Sequence, residues 1–81
     1  MTNQDIARKL REHAGELARD GDNLYRVRAF RRAAVAVQGL PDEVSAVVAG
    51  GGPAALERLP GIGRSLARTI AELVGGDVAA A

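Results

Sequence analysis

The sequence contains no cysteine and no tryptophan, and it has only one lysine, one histidine, one tyrosine and one phenylalanine. Without cysteine there are no disulfides and no thiolate metal sites, which suits a reducing compartment. No apolar run reaches the length of a membrane span. The start, Met1-Thr2-Asn3-Gln4-Asp5, leads into a charged amphipathic pattern rather than a secretory leader, so a cytoplasmic protein is expected. An excess of charge of one sign is missing too. Eleven basic residues face ten acidic ones, for a net charge of +1, so any nucleic-acid argument must rest on where the charges fall.

What is present reads as helix throughout. Eighty-one residues make a single domain, 1–81, of a size that buries roughly 60% of the unfolded surface. Thr2 or Asn3 can cap a first helix whose stripe is Ile6, Leu10, Ala14 and Leu17, ending near Gly21. After the Gly21-Asp22-Asn23 turn, a second helix from about Leu24 to Gln38 buries Val27, Phe30, Ala34 and Val37, and Gly39 closes it. Pro41-Asp42-Glu43 opens a short third helix through Val44, Val47 and Val48. Gly50-Gly51-Gly52 reads as a flexible connector, and Pro53 starts a short helix over 54–59. No strand pattern or repeat competes. The expected fold is all-α, a compact bundle of four to five short helices.

The motif that carries chemistry is Leu59-Pro60-Gly61-Ile62-Gly63. Pro60 lacks an N–H and stops the preceding helix, while Gly61 and Gly63 can take positive φ and hold no side chain between backbone and ligand. The next run, Arg64 to Val74, has apolar residues at 66, 70, 73 and 74, with Gly75 and Gly76 expected to end it. An anion at the start of that helix would meet unpaired N–H groups and the positive end of the macrodipole. With Leu56 and Leu59 before the turn and Leu66 and Ile70 after it, residues 54–75 resemble the helix-hairpin-helix motif, which grips sugar-phosphate backbone without reading sequence. A tight connector with Ile62 plugging the core is the plainer reading.

The arginines are unevenly placed. Arg26, Arg28, Arg31 and Arg32 fall between Asn23 and Leu40 with no acid among them, whereas Asp5, Glu12, Glu16 and Asp20 offset the basic residues of the first helix. Such a run is either a solvated face or an extension of a phosphate-binding surface. Tyr25 is either a stacking platform for a base or a half-buried aromatic at a helix start.

Over about residues 3–75 the chain resembles the N-terminal domain of family X DNA polymerases, best in the bacterial branch. The resemblance runs through Gly21-Asp22-Asn23-Leu24-Tyr25-Arg26-Val27-Arg28-Ala29-Phe30-Arg31-Arg32-Ala33-Ala34, then Leu40-Pro41, then Leu59-Pro60-Gly61-Ile62-Gly63 with Ala67 and Ile70. It implies binding to the downstream, 5′-phosphate side of gapped or nicked duplex DNA, and in the DNA polymerase beta branch removal of deoxyribose-phosphate by a lyase lysine. That lysine aligns with Thr69 here, and an assisting lysine with Ser65. A tyrosine of the lyase pattern is Phe30, and a phosphate-binding lysine is Arg26. An imine needs an amine, which arginine cannot supply. Only Lys9, outside the motif, and the terminal amine remain, so no catalytic residue is expected. His13 reads as a surface residue without a partner set. Polymerase chemistry would need a carboxylate cluster for two metal ions, for which these 81 residues leave no domain.

The expectation is a sequence-independent DNA-binding module for DNA repair or replication, monomeric and nucleoid-associated. Gly61, Ile62, Gly63 and Arg64 would hold a phosphate through backbone N–H groups, Arg64, Ser65 and Arg68 would reach its neighbours, and Tyr25, Arg26, Arg28, Arg31 and Arg32 would extend the surface. No cofactor is required. The resemblance implies a Na⁺ or K⁺ held by the main-chain carbonyls of Glu57, Leu59 and Ile62, and a polymerase or other repair protein as partner. Two alternatives stay open: an abasic-site lyase, and a helical protein-interaction module using the apolar parts of helices one and three.

Overall fold

A computed structural model describes residues 1–80, with side chains through residue 75, as four helices: α1 (Asn3–Arg19), α2 (Leu24–Gln38), α3 (Val44–Glu57) and α4 (Arg64–Ala80). The described residues contain no strand, so the fold is all-α.

The first two helices follow from local chemistry. Thr2 caps α1 with a capping box: its hydroxyl accepts from the Asp5 N–H at 3.1 Å, and its own N–H donates to the Asp5 carboxylate at 3.0 Å. At the other end Asp22 N–H donates to the Leu17 carbonyl and Gly21 N–H to that of Ala18, a Schellman closure with Gly21 at φ 73°. The Asn23 side chain then caps α2 by accepting from Tyr25 N–H at 2.7 Å. α2 packs along α1, burying Val27, Phe30, Ala33, Ala34 and Val37 against Ile6, Ala7, Leu10, Ala14 and Leu17. The alanines let the two helix backbones approach closely.

The second pair departs from the sequence expectation in three ways. Pro41, Asp42 and Glu43 lie ahead of α3 rather than inside its first turn, and the helix is capped from a distance. Asn3 of α1 accepts from Val44 N–H at 2.7 Å and donates through Nδ2 to the Asp42 carbonyl, while Glu43 accepts from Asn3 N–H. Asn3 therefore serves the third helix and not the first. The triple glycine is not a slack connector either. Gly50 and Gly51 are helical, and only Gly52 leaves the helix, at φ 66° and ψ −164°. A Cβ on Gly51 would stand 2.8 Å from that of Ala55, so the kink is tight enough to require a glycine there. Pro53 restarts the helix at a position that needs no N–H. Finally, α4 runs through Gly75 and Gly76 to Ala80. Glycine costs a helix about 1 kcal/mol against alanine but does not forbid it, and the residues that follow include alanines, the best helix formers.

α3 and α4 pack on each other through Val44, Leu56, Ala67, Ile70 and Val74, joined to one core by Ile62. Among the described residues no polar or charged residue is buried and no buried side-chain nitrogen or oxygen lacks a partner. All the polar chemistry is at the surface.

Candidate nucleic-acid interface

The turn between α3 and α4 forms as its residues require. Leu59 N–H donates to the Leu56 carbonyl, and Ile62 N–H to that of Leu59 at 3.2 Å, closing a four-residue turn. Pro60 holds its second position and Gly61, at φ 81°, its third, which is the type II arrangement. Ile62 is buried at 3% exposure and pins the turn to the core, so the plugging role and the presentation of the glycines coexist. Gly63 keeps a negative φ and its carbonyl accepts from Ala67 N–H at 2.9 Å, making it the residue that starts α4.

This arrangement sorts the expected donors. Ile62 N–H is committed to Leu59, so it is not offered outward. The N–H groups of Gly61, Gly63, Arg64, Ser65 and Leu66 have no hydrogen-bond partner among the described residues, and they surround the first turn of α4. Four of the five were expected or adjoin expected positions; Leu66 is added by the helix start.

The hairpin faces α2 across a cleft of about 460 Å³, lined by Tyr25, Arg26, Ala29, Phe30 and Arg32 on one side and Gly61, Gly63, Arg64, Ser65 and Leu66 on the other. Apolar ground, formed by Ala29, Phe30 and Leu66, lies between basic rims. Tyr25 is 75% exposed, which discards the half-buried reading and leaves its ring free at the cleft mouth. Arg28 and Arg31 do not line the cleft. They lie on the outward stripe of α2 with Leu24 and Val35, at spacings of four, three and four residues. Arg68 is exposed one turn beyond Arg64 and also outside the cleft.

Two cleft arginines have carboxylate partners that the sequence reading missed. Arg26 Nη1 is 3.1 Å from Asp22 Oδ2, and Arg64 Nε is 3.6 Å from Glu57 Oε1, across the turn. The first was legible as an acid four residues before a base, although Asp22 stands in the turn ahead of α2; the second depends on how the turn folds back. Arg32 has no ion pair among the described residues.

Of the two positions at which the polymerase resemblance would place lysines, Thr69 turns its hydroxyl inward to backbone, while Ser65 is exposed and lines the cleft. Thr69 Oγ1 donates to the Ser65 carbonyl at 3.1 Å. Thr69 also lines a second groove with Lys9, His13, Glu12, Glu16 and Glu72, so the fold brings the single lysine nearer the motif than its sequence position suggests. Three carboxylates surround that groove. His13 is exposed, as expected, yet it has partners: its ring meets Phe30 edge-on at 4.7 Å, and Nδ1 lies 3.8 Å from Glu16. No group of three or more His, Cys, Asp or Glu among the described residues could hold a metal ion. No helix among them is long and apolar enough to cross a membrane.

A family model for the helix-hairpin-helix domain matches residues 1–76, a span wider than the motif at 54–75. No curated protein and no solved structure matches the chain.

Proposed function

The chain belongs to the helix-hairpin-helix domain family, a class that binds DNA without reading its sequence, and from that membership we propose that it grips the DNA backbone in the cleft between its hairpin and α2. The observation that carries this reading is the convergence, on one cleft, of the unpartnered N–H groups of Gly61, Gly63, Arg64 and Ser65 with the side chains of Arg26, Arg32 and Arg64. A phosphate seated there receives backbone hydrogen bonds, the positive end of the α4 dipole and flanking guanidinium charge. None of these contacts reads a base edge, so binding is independent of sequence. Tyr25 offers a face on which an unpaired base stacks.

In this reading the DNA is gapped or nicked duplex, engaged on its 5′-phosphate side, by likeness to the N-terminal domains of family X polymerases. The domain acts by binding alone, as a monomer, beside a polymerase or other repair protein in the cytoplasm. The carbonyls of Glu57, Leu59 and Ile62 suit a Na⁺ or K⁺ in their chemistry, being neutral oxygens near the turn, and that of Leu59 keeps a lone pair after accepting from Ile62. A bound cation would add positive charge beside the phosphate. No catalytic role is assigned to Lys9 or the terminal amine.

Titrating ¹⁵N-labelled protein with a gapped, 5′-phosphorylated duplex tests the site. The largest amide shifts are expected at Gly61, Gly63, Arg64, Ser65 and Leu66, with Ile62 moving less. Shifts confined to the outward face of α2 would place the DNA elsewhere. Absence of shifts at low salt would favour a protein-interaction module.

A further inference from the structure

Each of two arginines that reach the cleft is held by a carboxylate standing outside its lining: Arg26 by Asp22 at 3.1 Å and Arg64 by Glu57 at 3.6 Å. We infer that Asp22 and Glu57 limit the affinity of the cleft for DNA phosphate, an inference that rests on the proposed function. The charge count makes the case. Arg26, Arg32 and Arg64 bring three positive charges to the rim, and the two carboxylates cancel two of them, leaving Arg32 without a carboxylate partner among the described residues.

A phosphate that enters must either take these guanidinium groups from their carboxylates or share them. Taking them exchanges one anion for another, so the arginine gains little. Sharing sets phosphate and carboxylate side by side, and like charges repel. The contact geometry fits sharing at Arg64, because Glu57 meets only Nε and leaves both Nη groups outside that pair. Both pairs are largely exposed, with the Arg64 side chain 87% and the Arg26 side chain 54% accessible, so each carboxylate costs binding only modestly, about 3-fold in affinity. The two act on different elements, α3 and the turn before α2, and their effects should multiply. Asp22 and Glu57 thus keep a sequence-blind binder weak and quick to release.

The test compares affinity of the wild type, Glu57→Gln, Asp22→Asn and the double variant for a gapped, 5′-phosphorylated duplex. Glu12→Gln serves as control, since it changes net charge equally but lies in the second groove, away from the cleft arginines. Each cleft variant should bind about 3-fold tighter, and the double about 10-fold, at low salt. The advantage should shrink as salt rises, because salt screens the same exposed pairs. Glu12→Gln should change affinity less than either. Unchanged or weaker binding by the cleft variants, or an equal gain from Glu12→Gln, overturns the inference while a binding wild type leaves the proposed function standing. If neither wild type nor variants bind, both fall.

Discussion

Gly61 lies directly against Ala36: a Cβ on the glycine would stand 3.4 Å from the Ala36 Cβ, so the hairpin and α2 meet with no side chain between them. Gly61 is also held at φ 81°. An alanine here pays for a left-handed backbone, about 1–2 kcal/mol, while its methyl would only touch Ala36. Gly61→Ala should lower the melting temperature by roughly 4–8 °C for each kcal/mol lost. Gly63 has a negative φ and open space where a Cβ would go, so Gly63→Ala should cost less stability. Its methyl still faces the incoming phosphate, and DNA affinity should fall. Thermal melts beside titrations separate the two effects.

The arginines divide by position. Arg32 lines the cleft with no ion-pair partner among the described residues, whereas Arg28, Arg31 and Arg68 lie outside it. Arg32→Ala should weaken binding and reduce the slope of log K against log salt by about 1. The same change at Arg28, Arg31 or Arg68 should alter the slope less. Salt-dependent anisotropy on all four variants checks the ranking.

Tyr25 is exposed and therefore contributes little to the core. Tyr25→Ala should leave the melting temperature nearly unchanged and cost about 1 kcal/mol or more of binding to DNA with unpaired bases, the range of base–aromatic stacking. Fully paired duplex should show a smaller loss. Equal losses on both DNAs would show that the ring does not stack on a base.

Acid should weaken the fold partly through Asp5. Its carboxyl is held below the ordinary range, first by the hydrogen bond from Thr2 N–H, then by the Thr2 hydroxyl, with Arg8 and the terminal amine adding to the effect. A carboxylate with a lowered folded-state pKa stabilises the fold above its unfolded value and loses that contribution as pH falls through the folded value. The gap in melting temperature between wild type and Asp5→Asn should therefore be full at neutral pH, begin to narrow at about pH 4, and close only as pH falls through the lowered folded-state value. A gap that is constant with pH would mean that the capping box does not depend on the charge.

Thr69 spends its hydroxyl on the Ser65 carbonyl, and neither residue can form an imine. Lys9, in a groove with Glu12, Glu16 and Glu72, faces carboxylates that repel a sugar phosphate. Borohydride reduction on an abasic duplex should trap no covalent adduct. An adduct lost in Lys9→Ala would make the domain a lyase.

The parts of the fold that were legible in the sequence are those determined by neighbours in the chain. The stripe Ile6, Leu10, Ala14 and Leu17 lies buried, and α2 runs from Leu24 to Gln38 with Gly39 closing it, both as expected. The Pro60-Gly61 turn was legible for the same reason. Long-range chemistry was not. Asn3 caps a helix forty residues away, and position 51 requires a glycine because the kink at Gly52 brings Ala55 too close for a Cβ. The site divides likewise. Of the four backbone donors expected at the turn, Gly61, Gly63 and Arg64 are unpartnered among the described residues while Ile62 is committed to Leu59, and which arginines reach the cleft depends on how α2 is rotated against the hairpin. That rotation selects Arg26 and Arg32 and turns Arg28 and Arg31 away.

Binding of a gapped, 5′-phosphorylated duplex measured at a series of salt concentrations tests the central claim most directly. With Arg26, Arg32 and Arg64 as the cleft cations, the expected result is weak, micromolar or poorer affinity at physiological salt and a slope of log K against log salt of about −3 or shallower, the same for unrelated DNA sequences. No binding at low salt, or binding that salt leaves unchanged, would contradict it.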